Sequence, residues 1–205
     1  MTEVERACQI VSSREGPTIL ELGAHHGWDT RAIYDTARNP RYVAVEADPR
    51  NIPVLTKACY GRKVTIIWAA VTDHSGEIVL HLCDGNNNAS SSVRTPKVHL
   101  DCWPEITFTK DAQVPCLTLN EIASCYGLER IDLLWSDIQG SERDMIAGGD
   151  QVLPLVDYLL MESDQAEMYE GQAIRSMVES LLPGFELIDE WPADGNVLFR
   201  NRRLA

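Results

Sequence analysis

The apolar residues of this chain gather in short runs bounded by turn residues, and the runs alternate with stretches of helical spacing. Runs at 18–22, 42–46, 64–71, 131–137 and 157–162 read as strands. The run at 64–71 is apolar almost without a break, which predicts a strand buried on both faces. Residues 3–14 read as a short helix. Residues 27–37 read as another, with Trp28, Ile33, Tyr34 and Ala37 on one side and Asn39-Pro40 at its end. A third starts at Asp48-Pro49-Arg50-Asn51 and runs to about residue 60, with Gly61 as its stop. Strand and helix in alternation predict a parallel sheet with right-handed crossovers.

The rhythm then changes. Asp73-His74-Ser75-Gly76 is turn-like, 77–83 alternates as an antiparallel strand, and 84–92 is a polar loop. Residues 93–113 are irregular, with Pro96 and Pro104. So long a connection predicts a substrate loop or lid over 84–113. Alternation resumes with helices at 119–126 and 141–148 around the strand at 131–137. A longer helix follows at 165–182, and strands 185–191 and 197–201 close the chain as a hairpin through Pro192-Ala193-Asp194-Gly195. No repeat or linker divides the chain. The expectation is one domain over 1–205, with 1–17 as an N-terminal helical segment.

Composition narrows the partners. A net charge of -13 argues against a general nucleic-acid footprint, and the basic tail Arg200-Asn201-Arg202-Arg203 is too short to supply one. No apolar run reaches the roughly 20 residues that cross a bilayer, and no secretory signal opens the sequence as given. None of the six cysteines has Cys-x-x-Cys spacing, so they read as reduced, in a cytoplasmic protein.

The chemistry begins at Ile19-Leu20-Glu21-Leu22-Gly23-Ala24-His25-His26-Gly27, a strand running into a glycine turn. Tyr42-Val43-Ala44-Val45-Glu46-Ala47-Asp48 follows as a second strand ending in an acid. Glycines let a backbone approach a ligand, and an acid about 20 residues later can accept from ribose hydroxyls. The Glu-x-Gly-x-x-x-Gly wording points to S-adenosylmethionine rather than a dinucleotide.

Seven strands with a final antiparallel hairpin resemble the class I S-adenosylmethionine-dependent methyltransferases. Within them the chain is similar to the FkbM family. The match lies in residues 20–30, in Val45-Glu46-Ala47-Asp48-Pro49, in Leu117-Thr118-Leu119-Asn120 through Ile131-Asp132-Leu133-Leu134-Trp135-Ser136-Asp137-Ile138-Gln139-Gly140-Ser141-Glu142, and in Leu160-Met161-Glu162-Ser163. It spans about residues 18–201. The resemblance implies a Rossmann-like, doubly wound α/β fold with a seven-stranded, mostly parallel sheet and helices on both faces. It also implies O-methylation of a hydroxyl on a small molecule or glycan, with S-adenosylhomocysteine as product. Asn120 stands where the family often has Asp, Trp135 where it often has Lys, and the His25-His26 pair is unusual in the turn.

The candidate cofactor residues are Glu21, Gly23, Ala24, Gly27, Glu46, Asp73 and Asp137. Glu21 would face the amino group, Glu46 the ribose, and Asp73 the adenine amine. Asp48 reads as the N-cap of the next helix. The catalytic candidates are Asp137, Glu162, His25 and His26, as bases near the acceptor oxygen. No metal site is assigned, although Asp137 and Glu162 are a pair that Mg2+ could use. Tyr169 and Trp103 are candidates for packing or for the acceptor pocket. Glu142 reads as a helix-start acid. Two other readings share the strand–turn–helix: a non-catalytic cofactor-binding or partner protein, and an NAD(P)-dependent oxidoreductase, whose Gly-x-Gly-x-x-Gly turn is missing here.

Overall fold

The structure, a computed structural model, describes residues 1–85 and 88–204; Asn86 and Asn87 of the expected polar loop lie outside the described residues. The chain opens with α1 (Glu3–Ser12), β1 (Thr18–Leu22), α2 (Trp28–Thr36), β2 (Arg41–Glu46), α3 (Ile52–Ala58) and β3 (Val64–Trp68). Next come β4 (Ala70–Val71), β5 (Gly76–Leu82), α4 (His99–Cys102), β6 (Lys110–Leu117) and α5 (Leu119–Cys125). The last part holds β7 (Ile131–Ser136), α6 (Glu142–Ala147), β8 (Val156–Glu162), α7 (Arg175–Leu181), β9 (Phe185–Trp191) and β10 (Asn196–Asn201).

Seven strands form the main sheet in the order β3-β2-β1-β7-β8-β10-β9. The first five pair in parallel, and β10 pairs antiparallel with both β8 and β9. This is the expected doubly wound sheet with its closing hairpin. Strand alternation builds two cores. Leu20, Leu22, Val43, Val45 and Leu134 meet Leu119, Ile122, Met145 and Val178 from α5, α6 and α7. Ile19, Tyr42, Ala44, Leu133 and Leu160 meet Ala7, Ile10, Val11, Ile33 and Leu55 from α1, α2 and α3. Side chains of successive strand residues point to opposite faces, so one apolar strand serves both layers. The order reverses between β1 and β7, where sheets of this kind open a crevice at their carboxyl ends.

Four expectations need correction. The run at 64–71 is not one strand buried on both faces. β3 is an edge strand with exposed positions, and the chain then crosses into a second sheet of order β4-β6-β5. That sheet contains β6, which the irregular reading of 93–113 missed. Lys110, Asp111 and Pro115 disguise it, but Ala112, Val114 and Cys116 alternate onto Leu80, Leu82 and Ala70. The helix expected at 165–182 shrinks to α7. Gly171 at φ +75 and the extended Ile174 break the earlier part, which folds back so that Tyr169 bridges Pro96. Trp28 does not share the buried side of α2. It is 78% exposed, while Thr30 and Ile33 turn inward.

Candidate active site

At the β1/β7 crevice lies a cavity of about 260 Å³. Glu21, Gly23 and Ala24 line it from the end of β1, Glu46 from β2, and Asp137 and Gln139 from the turn after β7. Residues 88, 89 and 91–93 also line it, from the long connection after β5. The strand register explains the convergence. β1 pairs with both β2 and β7, so the three turns that follow them share one rim.

Gly23 is required by the fold as much as by a ligand. A Cβ there would lie 1.7 Å from the Asp137 carbonyl oxygen, and its φ is +85. The turn after β7 packs directly on this backbone. Gly27, at φ +76, does not line the cavity; a Cβ there would meet Leu55 Cδ1 at 2.7 Å, so its absent side chain makes room for α3. The structure thus gives Gly27 a helix-packing role.

Glu21 accepts from Thr30 Oγ1 at 2.6 Å and Tyr42 OH at 2.9 Å. Burial pushes its pKa up to about 8, more than those two hydrogen bonds pull it down. Glu46 Oε2 accepts from His25 N at 2.7 Å, and Oε1 accepts from Asp48 N at 2.8 Å and Asn51 Nδ2 at 3.2 Å. Burial raises its pKa as well. Asp48 is not the N-cap of α3 as expected; Asn51 takes that position, because the chain makes a further turn before the helix begins. Asp48 accepts from Arg50 N, and also from Asn88 Nδ2 at 2.9 Å and Ser91 Oγ at 2.9 Å, which fastens the connection after β5 over the cavity.

Asp73 stands apart from this cavity. It is exposed, with His74 Nδ1 at 2.7 Å, because the chain at residue 72 has already left the main sheet. It does not line the cavity in which an adenine contact is expected of it.

His25 and His26 stack with ring centroids 3.8 Å apart. His25 has φ +47, and its Nε2 lies 3.2 Å from Asn88 Oδ1. Burial, then the neighbouring His26, lowers its pKa, so the ring is neutral near pH 7. Both rings line the first cavity alone.

A second cavity, about 220 Å³, adjoins the first. Glu162, Asp164, Tyr169, His99, Trp103 and Gln139 line it, with Ser90, Ile106 and Met168. Among the described residues Gln139 is the one common to both cavities. Its Nε2 donates to Asp137 Oδ1 at 2.6 Å and to Glu162 Oε2 at 3.0 Å, and its Oε1 accepts from Tyr169 OH at 2.7 Å. The amide thus donates to both of the acids that Mg2+ could have bridged. Among the described residues no group of three or more His, Cys, Asp and Glu gathers to hold a metal.

Sequence reasoning missed Gln139, His99 and Asp164. His99 is 4% exposed, and its Nε2 lies 3.0 Å from Ser90 Oγ. Its ring lies against Trp103 and Tyr169, with centroids 4.9 and 5.4 Å away. No spacing signal in an irregular stretch marks such a residue. Gln139 did carry a signal, since it lies inside the motif quoted above. The two departures separate clearly. Asn120 is structural, donating to Asp150 Oδ1 at 2.6 Å and accepting from Gln151 N at 3.1 Å. Trp135 is buried beside Glu21 in the strand register and lines the first cavity, where an aromatic face replaces an ammonium.

The chain matches the methyltransferase FkbM domain over residues 21–193. It is 34% identical over 212 residues to the 2-O-methyltransferase NoeI of Sinorhizobium fredii (strain NBRC 101917 / NGR234), covering 96% of this chain and 85% of that protein. Similar solved structures include fibrillarin from Aeropyrum pernix with natively bound S-adenosyl-L-methionine, at TM-score 0.52 and 16% identity, covering 96% of this chain and 73% of that one. Magnesium protoporphyrin IX methyltransferase from Synechocystis PCC 6803, with bound SAM, matches at TM-score 0.53 and 9% identity, covering 96% and 76%. The last two show a shared fold. With its motif segments on the crevice rim and a family match that spans most of its length, the chain belongs to the FkbM methyltransferase family.

Proposed function

We propose that the first cavity holds S-adenosylmethionine and that the second holds the hydroxyl acceptor, on a glycan or small molecule. The observation that carries this reading is the meeting of two cavities at one residue, Gln139, with an acid on either side. The first cavity fits a polar ligand: Asn51 Oδ1 and Ser141 Oγ are buried without a partner, and both residues line it. Such orphan groups cost stability unless something satisfies them. Glu46 retains acceptor capacity on Oε2 for a ribose hydroxyl, since only His25 N donates to that oxygen, and Glu21 offers a carboxylate to an ammonium group.

The bound cofactor supplies a methyl group already activated on a sulfonium, so alignment contributes much of the catalysis. The chain's residues provide that alignment and a base. His25, His26 and Asp137 line the cofactor cavity only, which favours Glu162 over them. Glu162 is the better base for an acceptor in the second cavity, because it lines that cavity. As the acceptor oxygen bonds to the methyl carbon, the carbon–sulfur bond breaks with its electron pair going to sulfur. The hydroxyl proton goes to the Glu162 carboxylate, and then to water.

Among the described residues no Lys or Arg lines the second cavity. This, with the net charge of -13, supports an acceptor that is not a polyanion and therefore not nucleic acid. The name of the Sinorhizobium relative supports an oxygen acceptor. No helix is long and apolar enough to cross a membrane among the described residues.

Calorimetric titration with S-adenosylmethionine and S-adenosylhomocysteine tests the cofactor site, on wild type and Glu46→Ala. Micromolar binding that the variant loses is the expected result. No binding by folded wild type would sink the reading. Binding without S-adenosylhomocysteine release, on any class of hydroxyl acceptor, would favour a non-catalytic binding protein.

A further inference from the structure

Gln139 is held by more contacts than a turn amide needs. Its backbone sits at φ +50, a left-handed conformation uncommon for a residue with a side chain and concentrated at functional sites. Ser92 Oγ donates to its carbonyl oxygen at 2.7 Å. At the next residue, Gly140, a Cβ would lie 3.1 Å from the Tyr169 ring, so Tyr169 packs down on this turn. The side-chain amide has one workable orientation. Turned over, it would set its oxygen against two carboxylates.

Both N–H bonds of this amide are therefore given to acids from two different strands. Among the described residues no cation does that work. Arg175, on α7, gives its guanidinium to the Ser163 carbonyl and to Glu190. The groups facing Glu162 are Asp137 after β7, Glu142 on α6, Asp164 after β8, and the rings of His99 and Tyr169. Burial, then Asp137, Glu142 and Asp164, push the Glu162 pKa well up. A donated N–H acts in the opposite sense, because it favours the charged carboxylate.

Resting on the methyl-transfer reading above, the geometry points to Gln139 as a positioning residue that fastens Asp137 and Glu162 beside the transfer path and keeps Glu162 able to accept the acceptor's proton. Gln139 itself takes no proton. It acts through the two acids, and Tyr169 and Ser92 fix it in place.

The test uses two variants of the full chain. Gln139→Glu keeps the shape and replaces a donor with a third carboxyl, while Gln139→Met removes the donor without adding charge. The Glu162 carboxyl is titrated by carbon-13 NMR, assigned against Glu162→Gln, in protein without ligand and again with S-adenosylhomocysteine. In both variants the Glu162 midpoint rises by about one pH unit or more. On whichever methyl glycoside wild type turns over, the acid limb of the kcat profile moves to higher pH. There kcat falls at least about tenfold, with KM for the glycoside within about threefold. An unmoved Glu162 midpoint in a folded variant overturns the inference. The ligand-free titration is independent of whether wild type binds S-adenosylhomocysteine, so failure of the methyl-transfer reading is seen separately.

Discussion

Asn88 Nδ2 donates to Asp48 Oδ2 at 2.9 Å, tying the connection after β5 to the buried acid just beyond β2. The same Asn88 lies 3.2 Å from His25 Nε2 through its oxygen. One amide therefore links the cofactor turn, the ribose-side acid segment and the covering connection. Asn88→Ala removes both contacts at once. S-adenosylhomocysteine should bind about tenfold more weakly, as expected for the loss of a hydrogen bond to a charged group. Calorimetry gives the affinity and stopped-flow fluorescence the dissociation rate, which should account for most of the change.

Cofactor affinity should rise with pH. Glu21 titrates near 8 because it is buried. Below that pH it is neutral, and binding an ammonium group must first expel its proton. Calorimetry in buffers of different ionisation enthalpy should show proton release near pH 7. Glu21→Gln should abolish that release and weaken binding.

Glu142 predicts a pH-dependent stability. Burial, reinforced by Asp137, raises its pKa from 4.5 to about 8. The unfolded chain loses this proton near 4.5, while the folded chain keeps it until about 8. Stability from this group is thus greatest below the unfolded value and is lost as pH rises through that window. Glu142→Gln should match wild type near pH 5 and melt roughly 5 °C higher near pH 8, by calorimetry.

Two glycines of like φ should behave differently. Gly61, at φ +81, has nothing within 4 Å of the point a Cβ would occupy, whereas Gly23, at φ +85, has the Asp137 carbonyl. Gly61→Ala should cost about 1 kcal/mol, from backbone conformation alone. Gly23→Ala should cost more than about 4 kcal/mol and yield little folded protein. Equal losses in urea unfolding would contradict the packing role of Gly23.

Asp157 closes the opposite end of the sheet. Its side chain is 1% exposed and pairs with Arg14, Arg130 and Arg203. Burial alone would raise its pKa, but the hydrogen bonds from Arg130, Arg14 and Arg203 win and hold it below its ordinary value. It therefore contributes stability above its unfolded pKa, lost as pH falls through the folded one. Asp157→Asn should lower stability by about 2 kcal/mol at pH 7, and by less near pH 3, in urea titrations.

The main sheet was readable because a strand buried on both faces must be apolar at nearly every position, as in β1 and β7. The turns after those strands were readable for a related reason. Gly23, Glu46 and Asp137 each end an apolar run, and parallel pairing brings such ends to one edge. β6 was hidden because Pro115, Lys110 and Asp111 break its pattern while only a small satellite core needs its inner face. Asp73 was misplaced because nothing local announces that the chain changes sheets at Ala70.

From its sequence alone the chain determined the doubly wound sheet, the crevice edge and the acids standing on it, since periodicity and turn chemistry are local. Only the tertiary structure decided the second cavity. His99, Trp103, Gln139, Glu162 and Tyr169 come from separate segments of the chain and meet because the connection after β5 and the stretch before α7 fold onto each other. No local pattern encodes such a meeting. It depends on long-range contacts such as Tyr169 with Gln139 and Asn88 with Asp48, whose partners are set by packing and not by spacing.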